Sequence, residues 1–465
     1  MAEVIAKVIE PRLDKIRIRR KEVSDPGIDE TIKKLTPEKI EKAINAVLNL
    51  RRSAATFAAP LETCIHCALC SGACHHYLSH DKDPTYAPVA KVRMTLWEMI
   101  KRKGKVSPEF IKQCARIAFA ECNLCRRCSM YCPFGLDIAF QMGMVRRMCF
   151  VLGVVPQILM DYVNSLSATL TQLWINQADW IDTMQWQEEE ARSEIKNARI
   201  PIEKEDADVM WLTIGTEPKI ATYHIARITK IMNVAGIDWT VPARDGWDHF
   251  NAAMFARDME TMQRVVRGLF ENALRLRVKR IVANECGHAI TATTYMAPPL
   301  LGWKEGSSLP LETLHAVEFY YELVSTGRIK IDKNKKLKGP VTIQDPCNLV
   351  RLRGAGEKIR YLVRETFDGE IIEMQPNREH NFCCNAGGGL VAAGPPWKGI
   401  RVESNRIKAE QIKATGCHIV VTPCHNCYVG INDIMKYYHL DGHAKFLDEI
   451  ITETMEIPEE MKAGG

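Results

Sequence analysis

Between residues 64 and 132 the chain repeats one cysteine pattern, C-x2-C-x2-C-x3-C. It reads CIHCALCSGAC at Cys64, Cys67, Cys70 and Cys74, and CNLCRRCSMYCP at Cys122, Cys125, Cys128 and Cys132. Two-residue gaps let successive thiolates point inward from one tight loop around a cube of iron and sulfide. The fourth cysteine leaves that loop and, in this spacing, ligates the neighbouring cluster. The pattern therefore predicts one [4Fe-4S] cubane on Cys64, Cys67, Cys70 and Cys132 and a second on Cys122, Cys125, Cys128 and Cys74. Zinc takes its four ligands from paired C-x2-C elements and has no use for a triple-plus-one spacing. Pro133 closes the second quartet in the usual way, whereas His75 holds that place in the first. With each site completed by cysteine, His66, His75 and His76 are expected beside the clusters or on the surface.

Seventeen cysteines are many for a reducing compartment, where clustered thiols mean metal or redox chemistry rather than disulfides. The first thirty residues mix both charge signs and contain no apolar run of the kind a secretory signal needs, so a cytoplasmic location is expected. A net charge of +5 without a long Lys/Arg block argues against nucleic acid as a partner. The best apolar stretch, residues 148–160, is too short to span a bilayer and holds Pro156. Beyond it Leu159, Val163, Leu166, Leu170, Leu173 and Trp174 recur at three and four residues, one apolar helix face that suits a core or a docking surface for a membrane partner.

Length alone points to two or three domains. Residues 1–60 read as a basic, partly extended arm and a helix, with Thr36 as N-cap, Pro37 at the first helical position, and Ile40, Ile44, Val47 and Leu48 on one face. Residues 61–150 carry the two quartets between stretches of helical pattern at 89–100 and 108–119. A helical connector is expected over 151–208, its acidic end from residue 185 reading as a linker. From residue 209 short β-rich runs alternate with longer helical ones, which argues for α/β units. Candidate strands lie at 209–214, 239–241, 280–283, 341–344, 371–373 and 419–422.

The α/β part reads as two distant copies, 209–335 and 336–465. VMWLTIG from Val209 lies on VTIQDPC from Val341, and RIVANECGH ending at His288 lies on HIVVTPCHN ending at Asn426. This places Gly215 opposite Cys347, Cys286 opposite Cys424 and Ala289 opposite Cys427. Three loops of the second copy carry Cys347, the pair Cys383 and Cys384, and Cys424 with Cys427, each after a candidate strand. In parallel α/β folds such loops gather where ligands bind. Adjacent cysteines are awkward for one zinc ion, and Gly387, Gly388 and Gly389 let the backbone approach a bulky group closely. A third iron-sulfur centre on these five thiols is the expectation. Cys114, Cys149 and Cys417 read as buried structural thiols. NAGGGLVAAG lacks a dinucleotide or phosphate-loop fingerprint, so neither flavin nor nucleotide is expected.

The order C-x35-CC-x39-C-x2-C resembles the cysteine-rich "CCG" domain of heterodisulfide reductases, and the quartets resemble the helical ferredoxin part of the same enzymes. Over residues 60–440 the chain is similar to their D-type catalytic subunit. The eroded first copy with NECGHA resembles the cytoplasmic subunit of the transmembrane redox complexes of sulfate reducers, the DsrK and HmcF type. The resemblance implies an all-α helical ferredoxin domain followed by an α/β cysteine-rich domain pair. It also implies a noncubane catalytic [4Fe-4S] cluster on Cys347, Cys383, Cys384, Cys424 and Cys427. Cys286, with His288 nearby, reads as bordering that cluster, as facing substrate, or as a relict thiol. Implied with it are a disulfide or thiol substrate, a membrane cytochrome b or quinone-interacting partner with other redox-complex subunits, and a peripheral place on the inner membrane face. CCN stands here where that family has CCG. The alternative is a non-catalytic wiring subunit like those of membrane glycolate or glycerol-phosphate dehydrogenases.

Overall fold

The computed structural model describes residues 22–244, 246–302 and 311–463. Most of the predicted N-terminal arm lies outside these residues. The chain divides into two compact units. The first comprises residues up to Met160 with Phe255–Arg257 and Phe382–Glu410; the second comprises Asp161–Met254, Asp258–Asn381 and the chain from Gln411.

Capped helices build the first unit. Thr36 accepts a hydrogen bond from the Lys39 amide at the start of Pro37–Asn49, Ser107 caps Pro108–Ala120 through Phe110, and Asp137 caps Ile138–Val151 through Phe140. Proline at the first position of two of these helices loses no hydrogen bond, because that amide has no partner within the helix. Ile40, Ile44, Val47 and Leu48 are buried, as their spacing predicts. The helical pattern over 89–100 is interrupted: a π-helical turn, Arg93–Trp97, joins Pro88–Val92 to Glu98–Lys101.

In the second unit, β1 (Val209–Leu212), β2 (Trp239–Thr240), β3 (Arg280–Ala283) and β4 (Glu312–His315) form a parallel sheet of order β2-β1-β3-β4. A short parallel pair joins β5 (Leu337–Lys338) to β7 (Phe367–Asp368). The third sheet, β6 (Val341–Ile343), β8 (Ile419–Val421) and β9 (His443–Lys445), is parallel in the order β6-β8-β9. Ile371 adds one parallel bridge to Val341 on its free side. Ile371, β6, β8 and β9 thus follow the same order as β2, β1, β3 and β4. The registers refine the internal comparison. Ile281 pairs with Met210, and Ile419 pairs with Val341. With Cys286 laid on Cys424, Met210 rather than Val209 falls on Val341, and Thr216 rather than Gly215 stands opposite Cys347.

Four expectations are corrected. The acidic passage from residue 185 is not a bare linker: helix Gln177–Arg192 buries Trp180, Met184 and Ala191, and Ile195, Ala198 and Ile200 continue into the same core as the two larger sheets. The stripe from Leu159 is core at Leu159, Val163 and Leu166; the helix Gln157–Thr169 then stops, and Leu170, Leu173 and Trp174 adopt left-handed backbone. The strand expected at 371–373 shrinks to the single bridge at Ile371, with the carboxylate of Glu373 held by Arg360 at 2.6 Å. Phe382–Glu410, read from sequence within the C-terminal copy, packs with the N-terminal helices. Trp397 donates from its indole N–H to Asp25 at 2.8 Å, and Arg406 donates to Asp81 at 2.9 Å.

Candidate functional site

Both quartet loops share one backbone device. The second residue after the first cysteine and the residue after the second cysteine are left-handed: His66 and Ala68 in one loop, Leu124 and Arg126 in the other. Left-handed backbone costs an ordinary residue about 1–2 kcal/mol, so four such residues mark loops held against their intrinsic preference. Ala68 and Arg126 each start a short helical turn, Leu69–Ala73 and Arg127–Met130, that carries the third cysteine, Cys70 or Cys128, as its second residue.

Two cavities follow. One is lined by Cys64, Cys67, Cys70 and Cys132 with Val89, Phe134 and Ile138 among its walls. The other is lined by Cys74, Cys122, Cys125 and Cys128 with His75, His76 and Lys91. Each takes three thiols from one loop and one from the other. Burial pushes the Cys70 thiol up to about 12, with Cys74 and Cys64 adding to it, and burial raises Cys122 and Cys128. A protonated thiol is a poor ligand, so these sites favour thiolates only where metal supplies positive charge. Four convergent thiols beside apolar walls fit an iron-sulfide cube.

Groups that the spacing does not reveal surround the second cavity. Lys91, buried, donates to the Glu121 carbonyl and lies 3.8 Å from Cys74 Sγ. Arg146, fully buried, donates to the carbonyls of Ala118 at 2.9 Å, Phe255 at 2.9 Å, Cys122 at 2.6 Å and Gly388. Of the histidines, His66 is exposed while His75 and His76 are buried. Burial lowers His75 to about 4, leaving a neutral ring whose Nε2 lies 3.0 Å from Asn385 Oδ1.

Cys383 and Cys384 belong to the first unit and are buried. Asn123, between Cys122 and Cys125, donates its amide to Cys383 Sγ at 2.9 Å, and Asn405 donates to the Cys384 carbonyl at 2.7 Å. A side-chain donor aimed at sulfur suits a thiolate ligand. Asn385 takes a left-handed backbone (φ 54°), a conformation that glycine adopts freely and asparagine tolerates; this accounts for Asn where the related pattern has Gly. The glycine run serves close packing within this unit. A Cβ on Gly388 would lie 2.2 Å from the Asn123 carbonyl oxygen, and one on Gly389 2.8 Å from Phe255 Cβ.

In the second unit, Cys347 opens the helix Cys347–Arg353, Cys424 is the N-cap of His425–Tyr437, and Cys427 lies in its first turn. Each follows a parallel strand, β6 or β8. Asp345, two residues before Cys347, accepts both Arg360 Nη groups at 2.9 and 3.0 Å and the Arg378 amide at 2.6 Å, which anchors the loop. Cys286 is fully buried at the N-cap of Gly287–Thr291; burial, with Cys424 close by, pushes its thiol up to about 12, and Asn251 donates to its Sγ at 3.5 Å. Nearby, His288 Nδ1 lies 3.3 Å from the Asn426 amide. Cys114, Cys149 and Cys417 are buried thiols.

Residues 60–136 match the model of a 4Fe-4S dicluster domain, and residues 341–432 match that of a cysteine-rich domain. The chain is 25% identical to the Hdr-like menaquinol oxidoreductase iron-sulfur subunit 2 of Archaeoglobus fulgidus, over 82% of this chain and 77% of that protein. It is 24% identical to the D subunit of the dihydromethanophenazine:CoB–CoM heterodisulfide reductase of Methanosarcina mazei, over 85% of this chain and 94% of the other. It is 23% identical to the EtfAB:quinone oxidoreductase of Syntrophomonas wolfei, over 72% of this chain and 46% of that protein. With both domain models in order along one chain, and these relatives covering most of its length, the chain is similar to the D subunit of heterodisulfide reductases.

Proposed function

We propose that this chain is the iron-sulfur subunit of a membrane-associated redox complex. In this reading Cys64, Cys67, Cys70 and Cys132 hold one cubane, Cys122, Cys125, Cys128 and Cys74 hold a second, and Cys347, Cys383, Cys384, Cys424 and Cys427 hold a third, noncubane four-iron centre. The observation that carries the reading is the lining of the two cavities, each with three thiols from one loop and one from the other. For the third centre the support is the five-cysteine order within the matched cysteine-rich domain.

Iron-sulfur clusters pass electrons one at a time, whereas a disulfide takes two. The five-cysteine site must then retain a half-reduced substrate through one of its sulfurs until the second electron arrives, and Cys286 borders that site. In this reading one partner is a quinone-interacting or cytochrome b subunit, other redox-complex subunits stand beside it, and the substrate is a disulfide or thiol; menaquinol and heterodisulfide in the names of relatives support the quinone and the disulfide. Among the described residues no helix is long and apolar enough to cross a membrane. In this reading the chain lies in the cytoplasm, on the inner face of the membrane, through its partner subunits. The similarity to a quinone oxidoreductase named for EtfAB favours, as second reading, a wiring subunit that leaves the chemistry to a flavin protein.

Redox titration of anaerobic protein by electron paramagnetic resonance, with and without a thiol or disulfide substrate, separates the two. The catalytic reading predicts a new paramagnetic signal that requires substrate and is lost in Cys384→Ser. Spectra indifferent to substrate at every potential contradict it.

A further inference from the structure

We propose that the second unit holds a mononuclear divalent metal ion, of the zinc or iron(II) class, on Glu217, His224 and His425. One ligand atom from each lies within 4.8 Å of the other two. His425 Nε2 and Glu217 Oε1 are 3.1 Å apart, close to the edge of about 3.4 Å expected of a tetrahedron with bonds of about 2.1 Å. Two imidazoles and a carboxylate suit this class of ion and leave one position open to water.

The surroundings are those of a built site. His224 is buried, its Nδ1 is engaged by the Asp448 carboxylate, and its buried Nε2 has no hydrogen-bond partner among the described residues. A metal-bound histidine ordinarily spends its second ring nitrogen on a carboxylate in this way, which fixes tautomer and ring orientation. The Glu217 carboxylate is fixed by two further donors: Asn284 to Oε1 at 2.7 Å, the oxygen that also faces His425, and the Ile214 amide to Oε2 at 3.2 Å. The Phe446 ring packs against both imidazoles, with centroids at 4.3 and 5.2 Å, and shields them.

Charge points the same way. Glu217 and Asp448 are each 2% exposed, and the guanidinium of Arg227 reaches Asp448 only at 3.5 Å. Glu285, equally buried, is taken up by the amides of Leu447 and Asp448 at the start of Leu447–Thr454. Buried carboxylates need a compensating charge, and a divalent ion between Glu217 and the imidazoles provides it. The ligands come from the loop after β1, the helix Tyr223–Val234 and the helix that Cys424 caps. All three use oxygen or nitrogen donors, so the site is chemically separate from the thiols.

The test uses the full-length, cluster-loaded protein, treated with a chelator and then supplied anaerobically with zinc(II) or cobalt(II) alone. The proposal predicts one equivalent retained through gel filtration beyond the cluster iron, and a cobalt spectrum without thiolate-to-cobalt charge transfer. Glu217→Gln and His224→Ala each abolish that equivalent with iron and sulfide content unchanged, and Asp448→Asn weakens it by about 10- to 100-fold. If His224→Ala fails to fold, the wild-type cobalt spectrum and Glu217→Gln carry the decision. No retained equivalent in the wild type, thiolate charge transfer in its cobalt spectrum, or undiminished binding in Glu217→Gln overturns the proposal.

Discussion

Asn123 donates its side-chain amide to the sulfur of Cys383 at 2.9 Å, which joins the loop of the second quartet directly to the cysteine pair. Hydrogen bonds to cluster sulfurs stabilise the reduced, more negative state and so raise the reduction potential. Asn123→Ala should lower the potential of the centre that carries Cys383 by on the order of 50 mV, the equivalent of about one hydrogen bond in a one-electron couple. Potentiometric titration of that centre checks this, and an unchanged midpoint would show that the contact does not act on a cluster ligand.

Asn385 offers a cleaner test of backbone strain. Asn385→Gly and Asn385→Ala both lose the contacts to His75 and to the Arg401 carbonyl, but only alanine must hold φ near 54° with a Cβ. The alanine variant should therefore be less stable than the glycine variant by about 1–2 kcal/mol. Urea denaturation of the two cluster-loaded proteins measures the difference; equal midpoints would remove the explanation given for asparagine at this place.

Arg360 is fully buried and shared between Asp345 and Glu373. Arg360→Met strands the Asp345 carboxylate in the interior and should cost about 3–5 kcal/mol. Adding Asp345→Asn to the same chain should recover part of that loss, because the uncompensated charge is gone. Denaturant midpoints of the single and double variants report it, and a double variant no better than the single one would assign the loss to packing instead.

Asp248 gives a pH signature. Burial raises its carboxyl to about 6, against the hydrogen bonds it accepts from the Gln172, His249 and Gly215 amides. With the folded value above the unfolded one, its contribution is fully present below about pH 4 and lost as pH rises through about 6. Between pH 5 and 8 the loss amounts to roughly 1–1.5 kcal/mol. Intrinsic-rate-corrected exchange protection of those three amides should fall by that amount in the wild type and stay level in Asp248→Asn. Protection that rises with pH would reverse the assignment.

The parts of this molecule that were legible in its sequence are those encoded locally. Thiol spacing in the quartets and the Thr36-Pro37 helix start depend on neighbours within a few residues, as does the run of Ile281 and Val282 in β3. Lys91, Arg146 and Asn123 carry no such mark. Their roles come from contacts with Glu121, Gly388 and Cys383, distant in the chain, and nothing in their own surroundings announces burial. The acidic passage after residue 185 reads as a linker by its charge, whereas the spacing of Trp180, Met184 and Ala191 buries one face of that helix. β4 and β9 are short and polar in composition, so only their pairing with β3 and β8 identifies them.

The central claim is that thirteen cysteines hold inorganic iron and sulfide in three four-iron centres. Iron and acid-labile sulfide, determined together per chain on anaerobically purified protein, test it most directly. The account predicts about twelve sulfides with at least as many irons. About eight of each would leave the five-cysteine site without its cluster, and zinc in place of iron and sulfide would contradict the account altogether.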